Sequence, residues 1–416
     1  MKKTKQIVVV GSGIAGICSA LSSADAGNDV ILFEKSSSLG GNLVRSNVGT
    51  ICGSYLRSDS NFPILVGNEF TQSLIAEFKN VLKLDAPINY YKGLHVIPYE
   101  WSVLKDFFEK KINAHPSIQL IIDTAVVGFE KEANSITKVV TSNTNIGKIT
   151  CDSVIDCSGI SNVSRTLNHE LIKTENYQAA SQVFRVSGIK ILNEFSLNFA
   201  IKKFLMTSIQ QYNWPLNHSS ISVVPGSIRN NSTDLKLTLP DLIDDNIDVE
   251  QLSKNASSLI HRVFNEMEKQ IDCFKDAQIE HIFPDVGIRV LSRPKGVEVL
   301  TKKDVLNCVK AKNGVAIGTW PIEYWNSKGK LEMTFFPEKE YFLISANSLI
   351  SKEVNNLFFA GKNISASEEG IASARVMGTC IQTGYAAGKI ASAYGDFENN
   401  VVYDLRNELK IGDEYI

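Results

Sequence analysis

The apolar positions of this chain follow two patterns. Ile7-Val8-Val9-Val10 is a short β-branched run without polar alternation, as expected of a parallel strand buried on both faces. Val30-Ile31-Leu32-Phe33, Ser153-Val154-Ile155-Asp156 and Leu357-Phe358-Phe359 repeat that pattern, and the last two close on Gly turns at Gly159 and Gly361. Helical spacing follows at 71–82, with apolar residues at 74, 75, 78, 81 and 82, and again at 99–112. Residues 119–122 and 125–127 predict strands, and 136–140 with 147–151 a short meander. Residues 370–393 read as one helix studded with small side chains, Ala372, Ser373, Ala374, Gly378, Gly384, Ala386, Ala387 and Gly388. Such a helix packs tightly on its neighbour, which the reading takes to be the sheet.

Between about 162 and 315 the pattern changes. Gln182-Val183-Phe184-Arg185-Val186 and Leu235-Lys236-Leu237-Thr238-Leu239 alternate like half-exposed antiparallel strands. Helical stretches at 195–211 and 249–269 interrupt them. The expectation is therefore an α/β chain with an inserted α+β substrate or cap domain. Its parts are 1–161 and 316–416, which together form a dinucleotide-binding unit, and 162–315, which caps it.

The chemistry starts at the first strand–helix junction, Gly11-Ser12-Gly13-Ile14-Ala15-Gly16, a full G-x-G-x-x-G. Gly11 allows the tight turn, Gly13 lets backbone approach a pyrophosphate, and Gly16 lets helix lie close on strand. The helix N-terminus, with the amides of Ile14 and Ala15, offers unpaired N–H groups and positive dipole to phosphates. Glu34 ends the second strand about 20 residues on, where an acid can accept both ribose hydroxyls. Gly40-Gly41-Asn42 then suggests a second close passage of backbone by the cofactor, an ordinary loop being the alternative.

Composition narrows the function. A net charge of −2 over 416 residues argues against an electrostatic nucleic-acid binder, and 44% apolar content supports a full core. No apolar segment approaches the roughly 20 residues a membrane helix needs, so no membrane partner is expected. The basic start, Met1 to Lys5, looks like a leader, yet the dinucleotide strand follows directly, so a cytoplasmic protein is expected. Seven scattered cysteines without a C-x-x-C fit reduced thiols and no metal site. Oligomer formation is left open.

Three stretches carry a resemblance: VVVGSGIAG…ILFEK…LGGN, then SVIDCSG, then NLFFAGKNISASEEGIASARVMGTCIQTGYAAG. Together they resemble FAD-dependent oxidoreductases of the glutathione-reductase-like Rossmann superfamily. Within it the chain is most similar to the bacterial flavoprotein family named simply FAD-dependent oxidoreductase, relatives of the fumarate reductase flavoproteins. PDVGIRVLSRPKGVEVLTKKDVL and IGTWPIEYW look like interior motifs of that family. The resemblance implies a glutathione-reductase-type three-layer FAD-binding fold. Position by position, it implies pyrophosphate contacts at Gly11, Gly13, Ile14, Ala15 and Gly16, and ribose contacts at Glu34 with Lys35 beside it. Gly41 and Asn42 would line the phosphate–ribityl stretch, Val126 and Val127 would flank the adenine, and Ser158 and Gly159 would sit near the adenosine. Gly361, Ile364, Met377 and Gly378 would lie near the ribityl chain and isoalloxazine. The chain departs from the family pattern at Glu368-Glu369, where His commonly precedes Glu, and at Arg289-Val290, where Arg-Glu is common.

Flavin supplies the redox chemistry, so protein residues must orient, polarise and exclude water. Arg289 reads as a carboxylate clamp or a structural ion pair. Glu369 reads as a proton acceptor or as an acid favoured at a helix N-terminus. Arg375 either faces the flavin or pairs with a Glu. Trp320, with Glu323 and Tyr324, reads as pocket wall or as ordinary packing. Cys52 reads as a small buried residue ahead of a redox thiol. The expected function is an FAD-dependent dehydrogenase or oxidase exchanging hydride with a small organic substrate. The alternatives are an NAD(P)H-dependent flavin monooxygenase, for which no second G-x-G-x-x-G is present, and a non-catalytic flavin-binding protein.

Overall fold

The computed structural model describes residues 4–190, 193–240, 244–395 and 400–416. Its centre is a five-stranded parallel sheet in the order Leu357–Phe359, Ser153–Asp156, Gln6–Val10, Asp29–Phe33, Ile118–Ile121. The unalternated apolar runs form these strands because helices cover one face and the Val126–Glu132 meander the other. The order places Gln6–Val10 in the middle, so its C-terminal Gly11 turn opens where the neighbouring strands also end.

Helix Ile14–Asp25 is buried along nearly its whole length. What covers it is helix Met377–Ala393, and the contact is backbone on backbone. A Cβ on Gly384 would stand 2.4 Å from the Ala15 carbonyl oxygen, and one on Gly388 would stand 1.9 Å from Ser22 Oγ. Ser19 and Ser22 hydroxyls donate to the Gly384 and Tyr385 carbonyls at 2.9 and 3.0 Å. The small residues of Met377–Ala393 are thus spent mainly on the dinucleotide helix, with lesser contact to the sheet strands Ser153–Asp156 and Leu357–Phe359. The expected helix over 370–393 is also two helices, Glu368–Ala374 and Met377–Ala393, broken at Arg375-Val376 where Val376 is extended.

The region of alternating strands forms an antiparallel sheet in the order Ile221–Val223, Ser232–Leu239, Ala180–Ser187, Gln278–Ile282. Helices Glu194–Tyr212 and Val249–Gln270 pack on it around a core of its own, including Phe184, Leu205, Leu235, Leu237, Ile260 and Phe274. The hairpin Ile322–Trp325 with Leu331–Thr334 joins the two units, since Trp325 accepts from Ala179 N at 3.1 Å.

Candidate active site

The first strand–helix junction is built from glycine geometry. Gly11 has φ +96°, a conformation that favours glycine, and a Cβ there would lie 2.7 Å from the Cys157 carbonyl oxygen. Gly16 is tighter still, its added Cβ standing 1.9 Å from the Gly11 oxygen. At Gly13, by contrast, a Cβ would meet nothing within 4 Å. This is open space directly at a helix N-terminus, and Gly41 closes it from behind through a bridge between Gly13 and Gly40. Room and unpaired amides at one place fit a pyrophosphate.

Glu34 is buried and holds this turn together. It accepts from Ser12 N at 3.0 Å, Ser12 Oγ at 2.8 Å and Ser36 N at 2.9 Å. Oε2 takes both Ser12 bonds, so Oε1, which accepts from Ser36 N, keeps lone-pair capacity for a further donor such as a ribose hydroxyl. Lys35 points outward and is exposed, and Asn42 is half-buried. Val126 is buried with its carbonyl accepting from Asn162 Nδ2 at 3.0 Å, whereas Val127 is half exposed. The Ser158-Gly159 turn is fixed by Asp156, which accepts from Ser158 N, Val163 N and Asn363 Nδ2 at 3.0, 3.1 and 2.7 Å.

The C-terminal motif returns to the same place. Gly361 has φ +64° and would press a Cβ to within 2.8 Å of the Ala15 Cβ. Ile364 and Met377 are buried beside it. Gly378 lies on the 53–54 loop, its N–H donating to the Cys52 carbonyl at 2.8 Å. Lys362 donates to the Ile288 carbonyl at 2.8 Å. Burial and the charge of Arg375 push its ammonium down to about 8.

A second cluster adjoins this motif. Arg289 follows the Gly287–Ser181 bridge at the edge of the antiparallel sheet and lies over Trp325, its guanidinium carbon 4.7 Å from the ring centroid. It also donates to the Ala179 carbonyl. Lys236 approaches the same indole, Nζ at 4.5 Å from the centroid. Glu323 is gripped by both indoles, Trp320 Nε1 at 2.7 Å and Trp325 Nε1 at 2.8 Å. Arg375, sitting at the helix break, reaches the Glu323 carbonyl at 3.3 Å and its carboxylate at 3.7 Å. Its buried Nε has no hydrogen-bond partner.

The electrostatics of this cluster are lopsided. Burial works to raise the Glu323 carboxyl, but Arg375, the two indole donors and Arg289 outweigh it and hold it below the usual range. Burial and Arg289 push the Lys236 ammonium down to about 8. Burial and Arg375 also push Arg289 down, although a guanidinium keeps its proton near neutrality. Three cations thus crowd one carboxylate. Lys236, Arg289, Glu323 and Arg375 lie deep in the molecule, yet each is only partly buried and retains accessible surface. Tyr90 and Cys52 are close enough to Glu323 to feel its charge, and burial pushes the Cys52 thiol up to about 12, which disfavours a reactive thiolate.

Of the four residues expected to carry chemistry, Arg289, Trp320 and Arg375 come together around Glu323. Glu369 does not. It lies in the first turn of Glu368–Ala374, 3.5 Å from Lys302 and 3.4 Å from Ser367 Oγ. The sequence reading passed over Lys236, Lys362 and Tyr90 as functional residues. A cavity of about 630 Å³, lined by Ala200, Lys203, Phe204, Gln270, Asp272 and Cys273 among others, lies in the antiparallel unit and contains none of the expected site residues.

The family model for FAD dependent oxidoreductases matches residues 6–403, almost the whole chain. The chain belongs to this family. It is an FAD-dependent oxidoreductase, and the open cradle at Gly13 fits the cofactor the family uses. Among curated proteins, an NADH:acrylate oxidoreductase from Vibrio harveyi is 38% identical over 77 residues, 18% of this chain and 8% of that protein. The chain therefore matches only a small part of that protein's length. Among solved structures, CabE, an aromatic hydroxylase from angucycline biosynthesis, aligns over 97% of this chain and 65% of its own, with a TM-score of 0.50 and 10% identity. A geranylgeranyl bacteriochlorophyll reductase-like protein from Thermoplasma acidophilum aligns over 97% and 82%, with a TM-score of 0.48 and 11% identity. The CabE likeness shows the fold alone. Among the described residues no helix is long and apolar enough to cross a membrane.

Proposed function

We propose that this oxidoreductase exchanges hydride with a small organic molecule bearing a carboxylate, bound at the cluster of Lys236, Arg289, Glu323, Trp325 and Arg375. The single observation that carries the reading is the charge imbalance: the cations Arg289, Arg375 and Lys236 crowd the one carboxylate of Glu323. Unbalanced cations in a deep site are costly, and an anionic ligand relieves that cost. The orphaned Arg375 Nε is a donor ready for such a ligand.

FAD, when bound, supplies the two-electron chemistry. Gly11, Gly13, Ile14, Ala15, Gly16, Glu34, Lys35, Gly41 and Asn42 would hold its pyrophosphate and ribose. Val126, Val127, Ser158 and Gly159 would flank its adenosine, and Gly361, Ile364, Met377 and Gly378 its ring end. Arg289 clamps the carboxylate through its planar fork while Trp325 keeps the guanidinium oriented. Trp320 and Trp325 hold Glu323 in place, and Glu323 holds Arg375. Lys236 and Lys362, both near 8, stabilise negative charge as it develops and are able to give up or take a proton. Glu369 is assigned no catalytic part.

The short likeness to the NADH:acrylate oxidoreductase supports an α,β-unsaturated acid as the oxidised partner in this reaction. We place the chain, on its motifs, in the glutathione-reductase-like superfamily near the fumarate reductase flavoproteins, with 162–315 acting as the cap and the cytoplasm as its compartment. Titrating the flavin absorbance with carboxylates and their matched amides tests the reading. Carboxylates should perturb the spectrum and amides should not; equal effects, or none, would overturn it.

A further inference from the structure

Helix Glu194–Tyr212 is apolar on two opposite sides. One side, Leu197, Ile201, Phe204 and Leu205, packs into the core of the antiparallel unit. The other carries Phe195, Phe199 and Met206, exposed at 81%, 63% and 64%. At about 100° per residue these three, with Lys202, Lys203 and Gln210, fall within a stripe roughly 100° wide and about 16 Å long between Phe195 and Met206. Among the described residues Lys202 and Lys203 are exposed and form no ion pair, and no acid of this helix lies on the stripe, although Lys203 lines the 630 Å³ cavity together with Asp272. Three large apolar side chains exposed together on one helix face are unusual at a free surface, so the outer face lacks its partner.

We propose that this face docks the protein on the surface of an anionic lipid bilayer. Aromatic and Met side chains flanked by lysines on an exposed helix are the pattern of an interfacial helix, with the apolar side chains entering the headgroup region and the ammonium groups meeting lipid phosphates. A second copy of the chain fits less well. Three side chains supply roughly 400 Å² of apolar contact, about half of what one partner of a stable dimer contributes. Two such stripes facing each other would also oppose Lys202 and Lys203 to their own copies. This surface departs from the sequence expectation of no membrane partner, which rested on segments long enough to cross one. It stands apart from the hydride site, and its failure leaves that reading untouched.

The test is co-sedimentation of the FAD-loaded protein with vesicles of phosphatidylcholine alone and of phosphatidylcholine with phosphatidylglycerol. Binding is expected on the anionic vesicles only, weakening in about 0.5 M salt. Phe195→Ser with Phe199→Ser, and separately Lys202→Glu with Lys203→Glu, should each cut the bound fraction about tenfold while FAD content and melting temperature hold. No binding to anionic vesicles, or binding unchanged in both variants, overturns the proposal. So does a wild-type dimer in sedimentation velocity that becomes monomeric in the Phe variant, since the stripe would then be covered by a second copy.

Discussion

The Arg289 guanidinium lies over the Trp325 ring, 4.7 Å from its centroid, and Trp325 in turn holds Glu323 through its indole N–H at 2.8 Å. One aromatic side chain thus orients both the cationic clamp and an acid that acts on it. Changing the clamp should therefore alter binding without altering the fold.

Arg289→Lys keeps a positive charge but loses the planar fork and much of the stacking on Trp325. The expected outcome is a KM for the carboxylate substrate raised about tenfold or more, equivalent to roughly 1.4 kcal/mol. FAD content and melting temperature should stay at wild-type values. Activity lost in parallel with thermal stability would mean that Arg289 is structural.

Gly384→Val tests the helix pair. The added Cβ would stand 2.4 Å from the Ala15 carbonyl oxygen, a contact neither backbone can relieve without moving the G-x-G-x-x-G helix. The expected cost is about 3 kcal/mol or more, with purified protein depleted in FAD. Absorbance near the flavin band and a thermal melt read both effects. A wild-type melt with full FAD would show that the two helices do not set the cofactor cradle.

The pH dependence follows from Lys236 and Lys362, each pushed down from 10.5 to about 8, chiefly by burial. Between about 8 and 10.5 the unfolded chain holds protons that the folded chain has released, so stability should rise with pH across that window. Ligand binding should run the other way, because a carboxylate favours the protonated ammonium. Affinity for a carboxylate should be full below about pH 8 and fall above it, and Lys236→Met should flatten the fall. Dissociation constants measured by flavin absorbance across this range decide the point. An affinity that does not change up to pH 10 would contradict it.

NADH and NADPH alone should reduce the flavin slowly. The described part of 162–315 is an antiparallel sheet with two long helices, not a second parallel dinucleotide unit. Stopped-flow reduction by NAD(P)H as fast as turnover would mean that a nicotinamide site exists in another form.

The dinucleotide half was legible because its signals are local. Gly11 to Gly16 and Glu34 act within one strand–helix–strand unit, so spacing alone reports their geometry. The charged cluster was less legible because it is assembled from distant segments. Lys236 alternates with Leu235 and Leu237, and period-2 spacing separates two faces without saying which meets solvent. Here the polar face turns inward to Trp325. The break at Arg375-Val376 was also hidden, since no proline or capping side chain marks it and the glycines nearby serve close packing. Yet Arg375 sits at that break and reaches Glu323, a contact that a continuous helix over 370–393 did not suggest.

The most direct test of the account is an anaerobic redox screen of the FAD-loaded protein. Photoreduced enzyme would be mixed with unsaturated acids, and oxidised enzyme with saturated acids, hydroxy acids and amines, each acid beside its amide. The account predicts that at least one carboxylate reoxidises or bleaches the flavin at a catalytically useful rate, that its amide does so at least about tenfold more slowly, and that Arg289→Lys narrows that difference. Rapid turnover of neutral compounds or amines, with carboxylates inert, would contradict it.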